Sequence, residues 1–217
     1  MLCFSLMFMK FKYYALKLSG IIILVFLAQV LISGFSELFV LNSDSWRAPW
    51  RFVTAIFLHG GLGHLVLNLF ALVLFGSILE KFVGAGRFLR VFFITGILAN
   101  LVSVNFYNSS LGASGAIFGI IGALIFVRPG MIVWAFGLPM PLFVAGIIWA
   151  GADILGTIGF FAGNPIDNTG NIAHLSGMFF GFIFGAVYRR FIRKKAKRHN
   201  VSLDENEARM WEDNYMR

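Results

Sequence analysis

The chain has 217 residues, of which 59% are hydrophobic and 13% charged, where an ordinary soluble domain has about 25% charged. Its mean hydropathy is +0.81, and Cys3 is its only cysteine, which excludes a cytosolic globule, a disordered chain and a secreted disulfide scaffold. A net charge of +8 would by itself permit nucleic-acid binding, but the charges are placed for another purpose.

Six apolar segments follow one another. Each is continuous and not alternating, so helices are expected and not the strands of a membrane barrel. A crossing takes about 20 residues. The first segment covers about 18–41; it is too long for a signal peptide and lacks a small-x-small cleavage site. Turn-forming residues fill 42–50. The second segment covers about 62–82 and the third about 88–106. Polar 108–112 leads to a short fourth segment, 113–127. Pro139 and Pro141 interrupt any helix, so 131–138 is expected to be an interfacial or re-entrant piece. The fifth segment covers about 141–161, the loop 163–171 is polar and Gly-rich, and the sixth covers about 172–188.

Charge then sets topology. Lys10, Lys12 and Lys17 precede the first segment, Lys81, Arg87 and Arg90 separate the second from the third, and Arg128 lies between the fourth and fifth. Arg189, Arg190, Arg193, Lys194, Lys195, Lys197 and Arg198 follow the sixth, while the opposite side carries only Arg47 and Arg51. The positive-inside rule places both termini in the cytoplasm. The basic cluster reads as a membrane stop in contact with lipid headgroups, with no nucleic acid called for. The expected fold is thus an all-α membrane protein with six transmembrane helices. Residues 1–17 form a cytoplasmic segment, 18–190 the membrane domain, and 191–217 a basic then acidic cytoplasmic tail. In that tail Ser202 with Glu205 fits the capping box of a short amphipathic helix, though a solvated tail is the plainer reading.

Polar groups inside hydrocarbon are costly and need a reason. Counted up from the cytoplasmic charge on each helix, Ser114 lies about 21 Å, His174 about 22 Å and Asn68 about 20 Å high at 1.5 Å per residue. Three helices therefore present polar groups at one level, about 10 Å below the external boundary of a 30 Å core. His64 shares a helix face with Asn68, one turn away. Gly115, Gly119 and Gly122 on the fourth segment, and Gly177, Gly181 and Gly185 on the sixth, form small-xxx-small faces that bring these helices close. Ser114 and His174 would then meet.

A serine needs a base to act as a nucleophile, and an imidazole can supply it. Ser114 also opens its helix, where the backbone N–H and the positive dipole end favour an oxyanion. Asn68 and His64 can donate further hydrogen bonds. These are the parts of an acyl-transfer site. No carboxylate is placed as a third member: Asp153 lies nearer the middle of the fifth segment, where an interhelical hydrogen bond is its plain reading.

Gly112-Ala113-Ser114-Gly115 and Ala173-His174-Leu175-Ser176-Gly177-Met178-Phe179-Phe180-Gly181 resemble the rhomboid family of intramembrane serine proteases. Trp50-Arg51, then His59, His64 and Asn68, match the spacing of its WR and HxxxxHxxxN elements, and Glu80, Gly84 and Arg87 match a further pattern. The resemblance runs from about Ser45 to Arg190 and looks like a minimal six-helix, rhomboid-like bundle. It implies a Ser114–His174 dyad, an oxyanion hole of His64, Asn68 and the Ser114 amide, and an organising role for His59 in the first external loop. It implies that Trp50 and Arg51, with Trp46, lie partly in the outer leaflet. Phe118, where many relatives carry tyrosine, would stack on His174 without supplying a hydroxyl. The implied partners are the lipid bilayer and transmembrane substrates with helix-weakening residues near the external face. No cofactor or metal is implied, and the simplest location is a prokaryotic plasma membrane. Two rivals are a catalytically inactive membrane-protein binder of the same family and a small-solute transporter lined by Ser114, His174 and Asp153. A zinc protease would need HExxH, but Gly60 follows His59. An aspartyl type would need a partner for Asp153.

Overall fold

The computed structural model describes residues 12–166 and 170–215, with the side chains of the last helix described to Phe191 and at Arg209 and Met210. Lys10, residues 167–169, the side chains of the basic cluster beyond Arg190, and those of Ser202, Asp204, Glu205, Glu207, Trp211, Glu212 and Asp213 lie outside the described residues.

Six helices carry the fold: α1 (Tyr14–Leu31), α2 (Leu62–Val83), α3 (Ala85–Ser103), α4 (Ser114–Val127), α5 (Leu142–Phe161) and α6 (Asn171–Tyr215). Among the described residues, all but α4 contain a stretch long and apolar enough to cross a membrane. Their outer faces are apolar: Leu24, Val30 and Leu31 on α1, Leu67 and Phe70 on α2, and Ile147, Leu155 and Ile158 on α5 are all exposed. Such a surface suits lipid, not water. The core is centred on α4, whose Gly115, Ala116, Ile117 and Gly119 through Leu124 are buried. With 14 residues it is about 21 Å long. It can be shorter than the bilayer because protein, not lipid, surrounds it.

The expected segments are recovered with shifted ends. The first apolar stretch is not one helix. α1 ends at Leu31, Gly34 takes φ +77°, and a short helix Phe35–Phe39 follows. Only glycine adopts that conformation without strain, so the apolar run turns while its hydropathy continues. α1 also starts earlier than expected. Its first turn has no side-chain cap of its own; instead Glu80 of α2, fully buried, accepts from the backbone N–H of Lys12 and Tyr14, each at 2.9 Å, and of Ala15 at 3.4 Å. Those N–H groups have no intrahelical partner. α2 includes a π-helical turn at Leu72–Gly76, where Gly76 packs against Ala15 and Phe88.

Two details differ from the expected elements. The fold is mostly helical, as expected, and the piece between α4 and α5 is a β-hairpin. β3 (Ile132–Ala135) pairs antiparallel with β4 (Leu138–Pro141), Ala135 opposite Leu138. The two turn residues, Phe136 (φ +55°) and Gly137 (φ +78°), both have the positive φ that a type I′ turn requires. The prolines do break the helix, as expected, but the segment pairs with itself. The second difference is α6, which continues unbroken to Tyr215, so no helix begins at Ser202 for a capping box to cap.

Outside the bundle, β1 (Leu41–Asn42) pairs with β2 (Ser109–Ser110) in antiparallel register, Leu41 opposite Ser110. The Gly112 N–H donates to Ala55 O at 2.9 Å. These bonds tie the connection between α1 and α2 to the segment that leads into α4, and so fix where Ser114 stands.

Candidate active site

The contact between α4 and α6 determines the site. A Cβ added at Gly177 would meet the carbonyl oxygen of Gly115, one at Gly181 that of Gly119, and one at Gly185 would lie 2.6 Å from that of Ala123. In the other direction, Gly122 faces the Met178 carbonyl. The two backbones touch at four-residue intervals, an approach open only to glycine. The spacing read from the sequence thus corresponds to a real seam.

At one end of that seam, Ser114 is the first residue of α4 and His174 lies one turn into α6. Phe118, one turn after Ser114, stacks on the His174 imidazole with ring centroids 4.2 Å apart and an interplanar angle of 8°. Ala173, the neighbour of His174, has its carbonyl oxygen 3.5 Å from a Cβ position at Gly115. Ser114 and His174 therefore come from adjoining positions on facing helices. Among the described residues the Ser114 hydroxyl makes no hydrogen bond; nucleophile–base pairs are often looser without substrate.

His174 does make one side-chain bond. Its Nδ1 lies 3.0 Å from Asp153 Oδ1 of α5, and both side chains are buried. This corrects the expectation that no carboxylate is placed beside the base. Asp153 makes an interhelical hydrogen bond, as read, and its partner is His174. A signal was available: Asp153 is the only acidic residue between Glu80 and Asp167, and a buried acid needs a partner. Depth counting hid the pairing. Asp153 lies about 16 Å above the start of α5 against about 22 Å for His174 at 1.5 Å per residue, a difference that tilt and side-chain reach can span.

α2 supplies the groups opposite. His64 is half-buried and sits against the turn before Ser114: a Cβ at Gly112, which has φ +123°, would lie 2.7 Å from His64 Cε1. Asn68 is buried, and its Nδ2 donates to the His64 carbonyl at 3.0 Å, leaving its second N–H to donate elsewhere. His64 and Asn68 thus lie one turn apart on α2. The first N–H groups of α4 also lack intrahelical acceptors.

His59 lies outside this cluster of donors, though its ring is 5.0 Å from that of His64. Its N–H donates to Gln29 Oε1 at 2.9 Å, and Gln29 Nε2 donates to its carbonyl at 3.3 Å. That exchange pins the entry to α2 onto α1, and composition gave no sign of Gln29. Farther out, Arg51 donates from Nη1 to Asn42 Oδ1 at 2.7 Å, from Nε to Leu38 O at 3.2 Å and from Nη2 to Glu37 O at 3.1 Å. Trp50 Nε1 donates to Leu38 O at 3.4 Å. Trp50 and Arg51 thus tie down the end of the short helix Phe35–Phe39. The indoles of Trp46 and Trp50 remain exposed.

Comparison with known proteins shows the family. Residues 47–191 match the model of the Rhomboid domain. Over 152 residues the chain is 38% identical to the rhomboid protease GluP of Bacillus subtilis, covering 68% of this chain and 27% of that protein. It is 31% identical over 173 residues to the chloroplastic rhomboid-like protein 11 of Arabidopsis thaliana, covering 74% of this chain and 59% of the relative. It is 27% identical over 172 residues to the mitochondrial rhomboid protein 1 of Saccharomyces cerevisiae, covering 73% and 47%. The chain thus spans less than two thirds of the length of each.

Proposed function

Because the chain belongs to the rhomboid family of multi-pass membrane proteins, we propose that it is an intramembrane serine protease in which Ser114 is the nucleophile and His174 the general base. The observation that carries this reading is the imidazole of His174, held by Phe118 and Asp153 at the seam where α6 meets the start of α4. Six crossings put both termini in the cytoplasm, with α4 as the crossing enclosed by protein. The basic residues at the cytoplasmic ends support this orientation, and a prokaryotic plasma membrane is the location it fits most simply.

In the proposed reaction Ser114 Oγ bonds to the carbonyl carbon of a substrate peptide while its proton passes to His174 Nε2. The oxyanion forms beside the start of α4, where the Ser114 N–H, His64 and the second N–H of Asn68 donate to it. The C–N bond then breaks, and the proton on Nε2 goes to the leaving amine. Water adds to the acyl-enzyme, again with His174 as base, and frees the serine. Substrates are transmembrane segments. In a stable helix the scissile carbonyl is held by its own hydrogen bond, so helix-weakening residues near the external face are required.

The test is cleavage of a transmembrane model substrate in proteoliposomes. Ser114→Ala and His174→Ala are expected to abolish it while the protein still folds. Asn68→Ala is expected to lower kcat by about 10²–10³, the scale of one oxyanion donor. Cleavage at the wild-type rate by Ser114→Ala contradicts the assignment. Substrate binding without cleavage by the wild type would favour the inactive-binder reading, and solute flux across the liposome would favour a transporter.

A further inference from the structure

Asp153 has no part in the reaction just described, which needs only a nucleophile, a base and oxyanion donors. A carboxyl group inside a membrane bundle is nonetheless expensive. This one is 5% exposed, and its second oxygen, Oδ2, is buried with no hydrogen-bond partner among the described residues. Among the described residues its carboxylate makes one hydrogen bond, 3.0 Å to His174 Nδ1.

That contact complements the one made by Phe118. The stacked ring, tilted by 8°, fixes the plane of the imidazole but lets it rotate within that plane. A hydrogen bond at Nδ1 stops the rotation and aims Nε2 in one direction. It also selects a tautomer. A carboxylate can only accept, so the imidazole proton must sit on Nδ1, leaving the Nε2 lone pair free for the Ser114 proton. A protonated Asp153 donating to Nδ1 would keep the same distance but put the imidazole proton on Nε2, where no base would remain. Among the described residues, the titratable groups facing the imidazole are Asp153 from α5 and His64 from α2.

We propose that Asp153 is a positioning residue for His174: its carboxylate holds the imidazole in the Nδ1-protonated tautomer with Nε2 aimed at Ser114, so that the dyad works as a Ser114–His174–Asp153 relay of orientation. This rests on the reading of Ser114 and His174 as nucleophile and base. No proton reaches Asp153 in the cycle; it stabilises the imidazolium formed when Ser114 is deprotonated.

Two measurements test it. The first uses the wild-type full chain, ¹⁵N-labelled at histidine in micelles, with the His174 signals assigned by their loss in His174→Ala. The expected result is a proton on Nδ1 and a bare Nε2; a neutral ring protonated on Nε2 overturns the proposal. The second is Asp153→Asn, whose amide can donate to Nδ1 and so drive the proton to Nε2. Its kcat is expected to fall at least about 100-fold, with KM changed less than about threefold and the unfolding midpoint unmoved. A merely structural role would move the midpoint or KM instead. If Asp153→Asn does not fold, the wild-type tautomer decides alone. If Ser114→Ala is inactive but Asp153→Asn cleaves at the wild-type kcat, only the role of Asp153 falls. If Ser114→Ala still cleaves, the catalytic reading falls, and this proposal with it.

Discussion

His59 lies just before α2, outside the spanning helices, and its ring state follows from its neighbours. Its Nδ1 is 3.3 Å from the Phe57 carbonyl, which can only accept, so Nδ1 carries the proton. Nε2 is left buried without a partner among the described residues. Burial, and to a lesser degree His64, push its pKa down from 6.5 to about 4. The unfolded chain therefore binds a proton that the fold refuses between about pH 6.5 and 4, and stability rises with pH across that window. The contribution of His59 is full above about pH 6.5 and is lost as the pH falls toward 4. The unfolding midpoint of the wild type in micelles is expected to drop on acidification, and the gap between it and His59→Phe to narrow. A gap constant from pH 7 to pH 4 would contradict this. At this scale Ser114, His174, His64 and Asn68 were legible in the sequence because each is a polar residue at a countable depth in an apolar run. The Asp153–His174 bond was not, since it depends on how α5 and α6 lean together, which no one-dimensional count records.

Among the elements, the seam between α4 and α6 is the most constrained. Gly181 faces the Gly119 carbonyl with no room for a methyl group, whereas Gly86 on α3 has open space around it. Gly181→Ala is expected to destabilise the protein by about 1–3 kcal/mol through forced separation of the backbones. Gly86→Ala is expected to be neutral or to stabilise by about 0.5–1 kcal/mol, as for any exposed helical glycine. Chemical unfolding in micelles compares them, and equal effects would contradict the seam. The four-residue glycine spacing could be read directly, because a period that survives in sequence survives in the helix. The hairpin Ile132–Pro141 could not: Phe136 adopts a positive φ that aromatic residues rarely take, so the turn carries only its glycine as a signal. The early end of α1 was hidden for a related reason. Leu31, Ile32, Phe35, Leu38 and Phe39 keep the hydropathy high through a turn made by one glycine.

At the level of the whole molecule, the outer faces of the long helices are apolar and several polar side chains are buried between them. Glu80, Asn68, Asp153 and His174 are all buried, each hydrogen-bonded across or along helices. α4 is the hub. Its burial allows it to be short; Ser114 opens it, beside His174 of α6, and His64 of α2 sits against the turn just before it. Hydropathy and charge made the membrane class and the number of apolar segments readable. The enclosure of α4 became clear only with the packing. The central claim is that these groups activate Ser114. It is tested most directly by treating the full chain in liposomes with a fluorophosphonate probe and mapping the modified residue by mass spectrometry. Labelling at Ser114 that is lost in His174→Ala is the predicted result; an unlabelled Ser114 in active protein, or labelling undiminished without His174, would contradict it.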